Sequence, residues 1–258
     1  ASDVYKRQFL DRETARIDTL IDEQQRLVEL FQERRDSEWT SLLNKAGTAG
    51  PALPLKRLLD SIVDGPFGSS LTSAHYSDDG ARVIRLGNIG INVFRNHDIA
   101  HIPLDYANQL AAHSVQSGDV VIAGLGDDKM PLGRAAVVPD IGPAIVKADC
   151  YRARPKAHVS PAYMAWALSA PPTRDQIMLL ARGATRARLN TSVVQQVEIP
   201  LPARKVQVEI IEQWLHQAGQ IDALIAETEK FVELSRERRT ALITAAVTGQ
   251  IDVRQRVS

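Results

Sequence analysis

The sequence holds a single cysteine, Cys150, among 258 residues. That excludes an internal disulfide framework and a multi-cysteine zinc site, and it fits a reducing cytoplasm. Aromatic residues are scarce, at 5%. No stretch approaches the ~18 consecutive apolar residues of a membrane span. No basic segment followed by an apolar core opens the chain, which argues against a Sec-type leader. Neither sign of charge is in excess: Lys plus Arg and Asp plus Glu each total 31. Net charge therefore points neither to nor away from nucleic acid, and local clustering has to decide. The apolar fraction of 44% is enough for a genuine core.

Proline and glycine are missing from residues 9–44, and what fills that stretch returns near the other end of the chain. Residues 17–35 read IDTLIDEQQRLVELFQERR and residues 221–239 read IDALIAETEKFVELSRERR. At a shift of 204 positions, Ile17, Asp18, Leu20, Ile21, Glu23, Val28, Glu29, Leu30, Glu33, Arg34 and Arg35 meet identical residues. The apolar positions of the first copy, with Ile17, Leu20, Leu27 and Phe31 among them, form one stripe of an amphipathic helix. Ile221, Leu224 and Phe231 belong to the matching stripe of the second. Gln24 and Thr228 interrupt both stripes at the same depth, either as a polar seam position that fixes register or as a tolerated defect.

Five segments follow. Residues 1–8 have no counterpart in the second copy and are set aside as a junction. Residues 9–46 form the first helix, ended by the Gly and Pro of AGTAGPALP. Residues 51–202 have a different texture, with short β-branched runs (82–86, 120–124, 135–139, 143–148) set between Gly, Pro and Asp. Helical pieces are expected over 55–62, 103–112 and 161–181, the last interrupted at Pro171–Pro172. The fold class is α+β: a mixed domain of about 150 residues flanked by two long helices that form an antiparallel coiled-coil pair. Residues 203–249 form the second helix, stopped at Gly249, and 250–258 form a tail.

Candidate binding residues lie on the loops of 51–202. Arg182, Arg186 and Arg188 occupy a window without an acid between Asp175 and Glu198, with Gly183, Ala184 and Thr185 allowing close backbone approach. Arginine forks onto guanine O6 and N7 or onto phosphate, and Asn190 has the donor and acceptor to pair with adenine. The rival reading is a solvated basic loop in which Asn190 caps the next helix. GPFGSS (65–70), with Ser69, lacks the Gly-Lys-Ser/Thr ending of a nucleotide-binding loop and reads as a turn, with Phe67 assigned to the core. Arg85 and Asn88 end an expected strand, where they serve either readout or turn chemistry. Lys129 and Arg134 flank GLGDDKMPLGR, whose Asp127 and Asp128 favour a tight solvated turn. His97 and His101 have metal-binding spacing on a helix but no third ligand. Cys150 is read as a core residue. No nucleophile, metal or methyltransferase-cofactor constellation is present, so no catalytic residue is named.

Three stretches, DGPFGSSLTSAHYSDDGARVIRLGNIG (64–90), GATRARLNTSVVQQVEIPLPARKVQ (183–207) and RRTALITAAVTGQIDV (238–253), resemble the specificity (S) subunit of type I restriction–modification systems. With the duplicated helix, the resemblance covers nearly all of residues 9–254. It departs at Pro202-Ala203 and Val206-Gln207, where the family has Pro-Pro and Glu-Gln. The order helix, recognition domain, helix looks like the C-terminal part of a subunit, or a short form of one. The resemblance implies a non-catalytic chain that reads half of a bipartite duplex DNA site and scaffolds methyltransferase subunits. It also implies a motor-nuclease partner. S-adenosylmethionine, ATP and Mg would belong to the partners, and this chain would bind no cofactor. About 30 helical residues reach roughly 45 Å, or ~13 base pairs. The competing reading is a coiled-coil interaction protein, self-associating through its helices, whose α+β domain binds protein.

Overall fold

The computed structural model describes residues 2–127, 129–181 and 188–251. The chain forms two compact units, one of Ala1–Glu38 with Leu215–Ser258 and one of Trp39–Trp214. In chain order the elements are α1 (Ser2–Ala49), β1 (Ala52–Pro54), β2 (Leu59–Val63), β3 (Ala81–Ile84), β4 (His101–Ile102) and α2 (Leu104–Gln109). They continue with β5 (Ser114–Val115), β6 (Val120–Ala123), β7 (Ala135–Val137), β8 (Ala144–Val146) and β9 (Cys150–Pro155). The chain then forms α3 (Pro161–Ser169), α4 (Pro171–Leu180), α5 (Thr191–Val194), β10 (Glu198–Pro200) and α6 (Arg204–Val247). The fold class is α+β. No helix among the described residues is long and apolar enough to cross a membrane.

In the first unit the helices run antiparallel. Arg35 Nη1 meets Asp222 Oδ1 at 2.9 Å, while Arg239 Nε meets Asp18 Oδ1 at 2.7 Å. Asp18 and Asp222 are the same position of the repeat, as are Arg35 and Arg239. Each ion pair is therefore the other with the copies exchanged, which is the signature of a local two-fold axis. The seam follows a heptad in both copies. Ile17 and Ile21 are buried in the first, with Gln24, Val28, Phe31 and Arg35 half-buried. Ile221, Thr228, Val232 and Ser235 are buried in the second. Thr228 satisfies its hydroxyl on the Leu224 carbonyl at 2.7 Å. Leu20, Leu224 and Phe231, expected in the stripe, are exposed instead. A stripe of apolar residues is wider than a two-helix seam, and these positions fall on its uncovered edge. α1 also runs back to Ser2, through residues expected to stand apart, since no Gly or Pro interrupts them.

Among the described residues, the second unit contains two four-stranded sheets and a two-stranded ribbon. One sheet has the order β2-β9-β6-β7, all antiparallel, and the other β4-β3-β8-β5, with β3 and β8 parallel. Ile84, Val121, Ala136, Val146 and Cys150 belong to one core cluster shared by the two sheets. α3 packs on β6 and β7. All three tryptophans of the sequence gather here: Trp39 lies 4.4 Å from Trp214 and 6.3 Å from Trp166, and its Nε1 donates to the Trp166 carbonyl at 3.2 Å. Gln207, at the unusual Val-Gln step, is buried and receives a bond from Ser160 N while donating to the Pro202 and His158 carbonyls. Its role is to close the start of α6.

The strand runs over 82–86, 120–124, 135–139 and 143–148 correspond to β3, β6, β7 and β8. The helix expected over 55–62 is instead a single 3-10 turn, Leu55–Arg57, followed by β2. Pairing of Ser61, Ile62 and Val63 with β9 outweighs a helical pattern of one turn. β9 itself, CYRARP, carries two arginines and gave no strand pattern; Arg154 satisfies its charge on buried Asp119 through two bonds of 2.8 and 2.9 Å. His101 lies on β4, so the helical spacing that paired it with His97 is absent. The first helix passes through Gly47 to Ala49, and Gly50 then lies so close to Leu201 that a side chain there would meet its carbonyl oxygen at 2.2 Å.

Candidate nucleic-acid interface

Loops at one end of the second unit are tied together by polar contacts. Asp149 sits in the left-handed region at φ 67°, at the turn between β8 and β9. Its backbone N–H donates to Asp64 Oδ1 at 3.0 Å, and its carbonyl accepts from Gly124 N at 2.7 Å. Gly65 packs on the Lys147 backbone, where an added Cβ would stand 2.0 Å from its carbonyl carbon. Burial, the largest influence, raises the Asp64 carboxyl above its usual 3.8, against the lowering effect of bonds from Gly65 and Asp149. Arg188 pairs with Leu125 as an isolated β-bridge, and Leu189 N donates to the Gly124 carbonyl at 2.9 Å.

Arg188 is the exposed cation of this network. Its Nη2 lies 2.7 Å from Asp149 Oδ1, and its guanidinium carbon stands 5.7 Å from the centre of the Phe67 ring. Phe67 is 53% exposed, not in the core. Arg85 pairs with Asp98 and faces the Tyr76 ring at 5.8 Å. Lys147 lies 5.6 Å from the same ring centre and donates to its hydroxyl at 3.2 Å. Three cations with two aromatic rings thus stand on loops joined through the 147–149 turn. Such a surface suits an anionic or π-faced ligand, and arginine and lysine recognise it in different ways.

The other expected site residues divide by burial. Arg134 is 4% exposed, with every nitrogen committed: Nε to the Ile89 carbonyl at 2.6 Å, Nη2 to Leu86, and Nη1 to Leu125 and two further carbonyls. It ties the 86–89 loop to the 125–131 loop beneath a cavity of about 210 Å³ that Gly87, Arg95 and Gly126 help to line. Asn88 is fully buried; it accepts from Arg85 N and donates to the Arg95 and Asp98 carbonyls. Both therefore shape the loops from within. Ser69 and Lys129 are exposed. Asn190 is exposed and caps α5, accepting from Val193 N at 2.9 Å. Arg182 and Arg186 lie outside the described residues. Sequence reading missed Tyr76, Lys147 and Asp149. Only the alternation of Lys147 and Asp149 around a turn hinted at the latter two, and nothing local pointed to Tyr76.

The architecture is that of a mixed α+β module between two long helices. No family model matches the chain. Among curated proteins it is 26% identical over 177 residues to the type I restriction enzyme StySPI specificity subunit of Salmonella potsdam, covering 69% of this chain and 38% of that protein. It is 23% identical to the MjaVIII specificity subunit of Methanocaldococcus jannaschii, over 76% of this chain and 46% of that protein. Its fold is similar to the HsdS subunit of Thermoanaerobacter tengcongensis, with a TM-score of 0.55 and 16% identity over 94% of this chain and 59% of that one. It is also similar to the type I restriction–modification S subunit of M. genitalium, at 0.51 and 12% over 93% and 60%. In sequence the chain is similar to specificity subunits of type I restriction enzymes and in fold to solved ones, and it spans less than half the length of these curated relatives.

Proposed function

We propose that this chain is a non-catalytic DNA-recognition and scaffolding part of a type I restriction–modification complex. In this reading the α+β unit binds one half of a bipartite duplex target, and the helix pair docks methyltransferase subunits. The observation that carries it is the sequence relationship to specificity subunits over most of the chain. The loop face of Arg85, Lys147, Arg188, Tyr76 and Phe67 supports it, since phosphates take cations and bases take planar forks and rings. Ser69, Lys129 and Asn190 are proposed to extend that face, and Arg182 and Arg186 to take part in DNA binding. Arg134 and Asn88 act behind it, as positioning residues.

The helix pair supports the scaffolding half of the proposal. Its two-fold makes two exposed apolar positions occur twice: Leu20 and Leu224 are 44% and 43% exposed, and Leu30 and Leu234 are 59% and 53%. Equivalent apolar patches on the two copies suit equivalent partner subunits. Adenine methylation with S-adenosylmethionine, and the ATP- and Mg-dependent cutting of DNA, belong to partners in this reading.

Competition binding tests the first half: labelled target duplex is challenged with random duplex at fixed salt. The expected result is a preference for the target of at least about a thousandfold. Equal affinities would favour the rival reading of a coiled-coil interaction protein.

A further inference from the structure

Arg188 differs from the other cations of the loop face in how it is held. Its backbone is held by the antiparallel bridge to Leu125, through the bond from Leu189 N to the Gly124 carbonyl. One edge of its guanidinium rests on Asp149, whose side chain is 19% exposed and whose backbone is held from Asp64 and Gly124. One face lies toward Phe67. Nε and Nη1 have no hydrogen-bond partner among the described residues, and half of the side chain is open to solvent. A guanidinium has five N–H donors and both of its two-pronged edges use an Nη2 N–H, so with one Nη2 N–H turned to Asp149 the other completes a fork with Nε or Nη1.

We propose that Arg188 is a base-reading residue that takes the O6 and N7 acceptors of a guanine in the major groove, with Asp149 as its positioning residue. The inference rests on the DNA-recognition reading above and names the base chemistry of that site. Charge decides between base and phosphate. Asp149 neutralises Arg188 at 2.7 Å, and the Asp64 carboxylate stands behind it. A phosphate brought to this edge would feel little net attraction and two nearby anions. A guanine edge is uncharged and offers two acceptors, so it gains the fork without that repulsion. A carboxylate also selects one rotamer of a long side chain, which reduces the ordering cost of binding. Phe67, held open to solvent beside the guanidinium, restricts it from the other side.

The test is selection of duplexes from a randomised library with the full chain, in wild-type form and as Arg188→Ala, Arg188→Lys and Asp149→Asn. Folding is checked for each by circular dichroism. In the wild type, one position of the selected sequence is expected to be guanine. Arg188→Ala should reduce that position alone to random and leave the others intact. Arg188→Lys keeps the charge and loses the fork, so it should relax the same position. Asp149→Asn should lower discrimination there by about 5- to 150-fold, while binding to random duplex is unchanged or stronger. A merely structural ion pair would show only as a loss common to all sequences.

The proposal is overturned if Arg188→Ala weakens all sequences equally and lowers the salt slope by about one, the mark of a phosphate contact. It is overturned equally if the selected sequence is unchanged in every folded variant. A wild-type chain that selects no sequence would instead overturn the DNA-recognition reading beneath it.

Discussion

Asn88 has no polar atom facing solvent: its carbonyl accepts from Arg85 N and its amide donates to two backbone carbonyls at 2.9 Å. Asn88→Ala removes three bonds to the backbone and leaves only the Asp98 carbonyl with another side-chain donor, Arg82, so a loss of about 2–4 kcal/mol is expected in urea unfolding. The Cys150 thiol is pushed up to about 12, chiefly by burial. Thiol reagents at pH 8 should therefore label it only on unfolding, so that labelling tracks denaturant. Asp64 supplies a pH prediction. Its carboxyl is raised in the folded state, so the native chain binds that proton more tightly than the unfolded chain. Stability from this group rises as pH falls from the raised value towards 3.8. Asp64→Asn, which keeps the acceptor oxygen, should remove that rise in thermal melts taken across the acid range. At this scale the sequence was a partial guide. Arg85, Asn88, Arg134 and Arg188 are legible as polar residues on loops. Burial, which converts Asn88 and Arg134 from contacts into supports and brings Phe67 out to the surface, depends on neighbours distant along the chain.

At the scale of elements, the duplicated helix was readable because a shift of 204 residues leaves so many identities. The antiparallel pair follows from the same repeat, and the reciprocal Asp18–Arg239 and Asp222–Arg35 contacts express it. These pairs are half-exposed, so Asp18→Arg should cost about 0.2–1 kcal/mol. The exchange Asp18→Arg with Arg239→Asp should restore that loss, and a double-mutant cycle at Asp222 and Arg35 should give the same coupling. The edge of the seam was less legible. Ile17 and Leu20 are both apolar and on one side of α1, and only the partner helix decides that Ile17 is covered and Leu20 is not. β9 escaped for a different reason: Arg152 donates to the Ser61 hydroxyl and Arg154 pairs with the Asp119 carboxylate, contacts made far along the chain. The tryptophan cluster gives a further expectation. Trp39→Ala removes a buried ring stacked on Trp166 and tilted against Trp214, and about 3–5 kcal/mol should be lost in denaturant unfolding, with a shift in tryptophan emission.

For the whole molecule, loop face and helix pair are proposed to carry separate tasks, so substitutions should separate them. Leu20→Asp with Leu224→Asp lies on exposed positions and should leave folding and duplex binding intact. Co-purification with a methyltransferase subunit should fall sharply, because both symmetry-related patches are lost together. The α+β class and the flanking helices were visible in the change of texture at Gly47 to Pro54 and again near Pro202. The joining of loops 64–67, 85–98, 125–131 and 147–149 into one face was not, because it arises from the mixed sheet order and from Arg134 binding two loops at once. The task proposed for this face is recognition of DNA by sequence. Its most direct test is selection from a randomised duplex library by the full chain at about 0.15 M salt, where long-range charge is largely screened. A short consensus, bound well above random duplex, is expected. Recovery of unselected sequences, bound no better than random DNA, would contradict it.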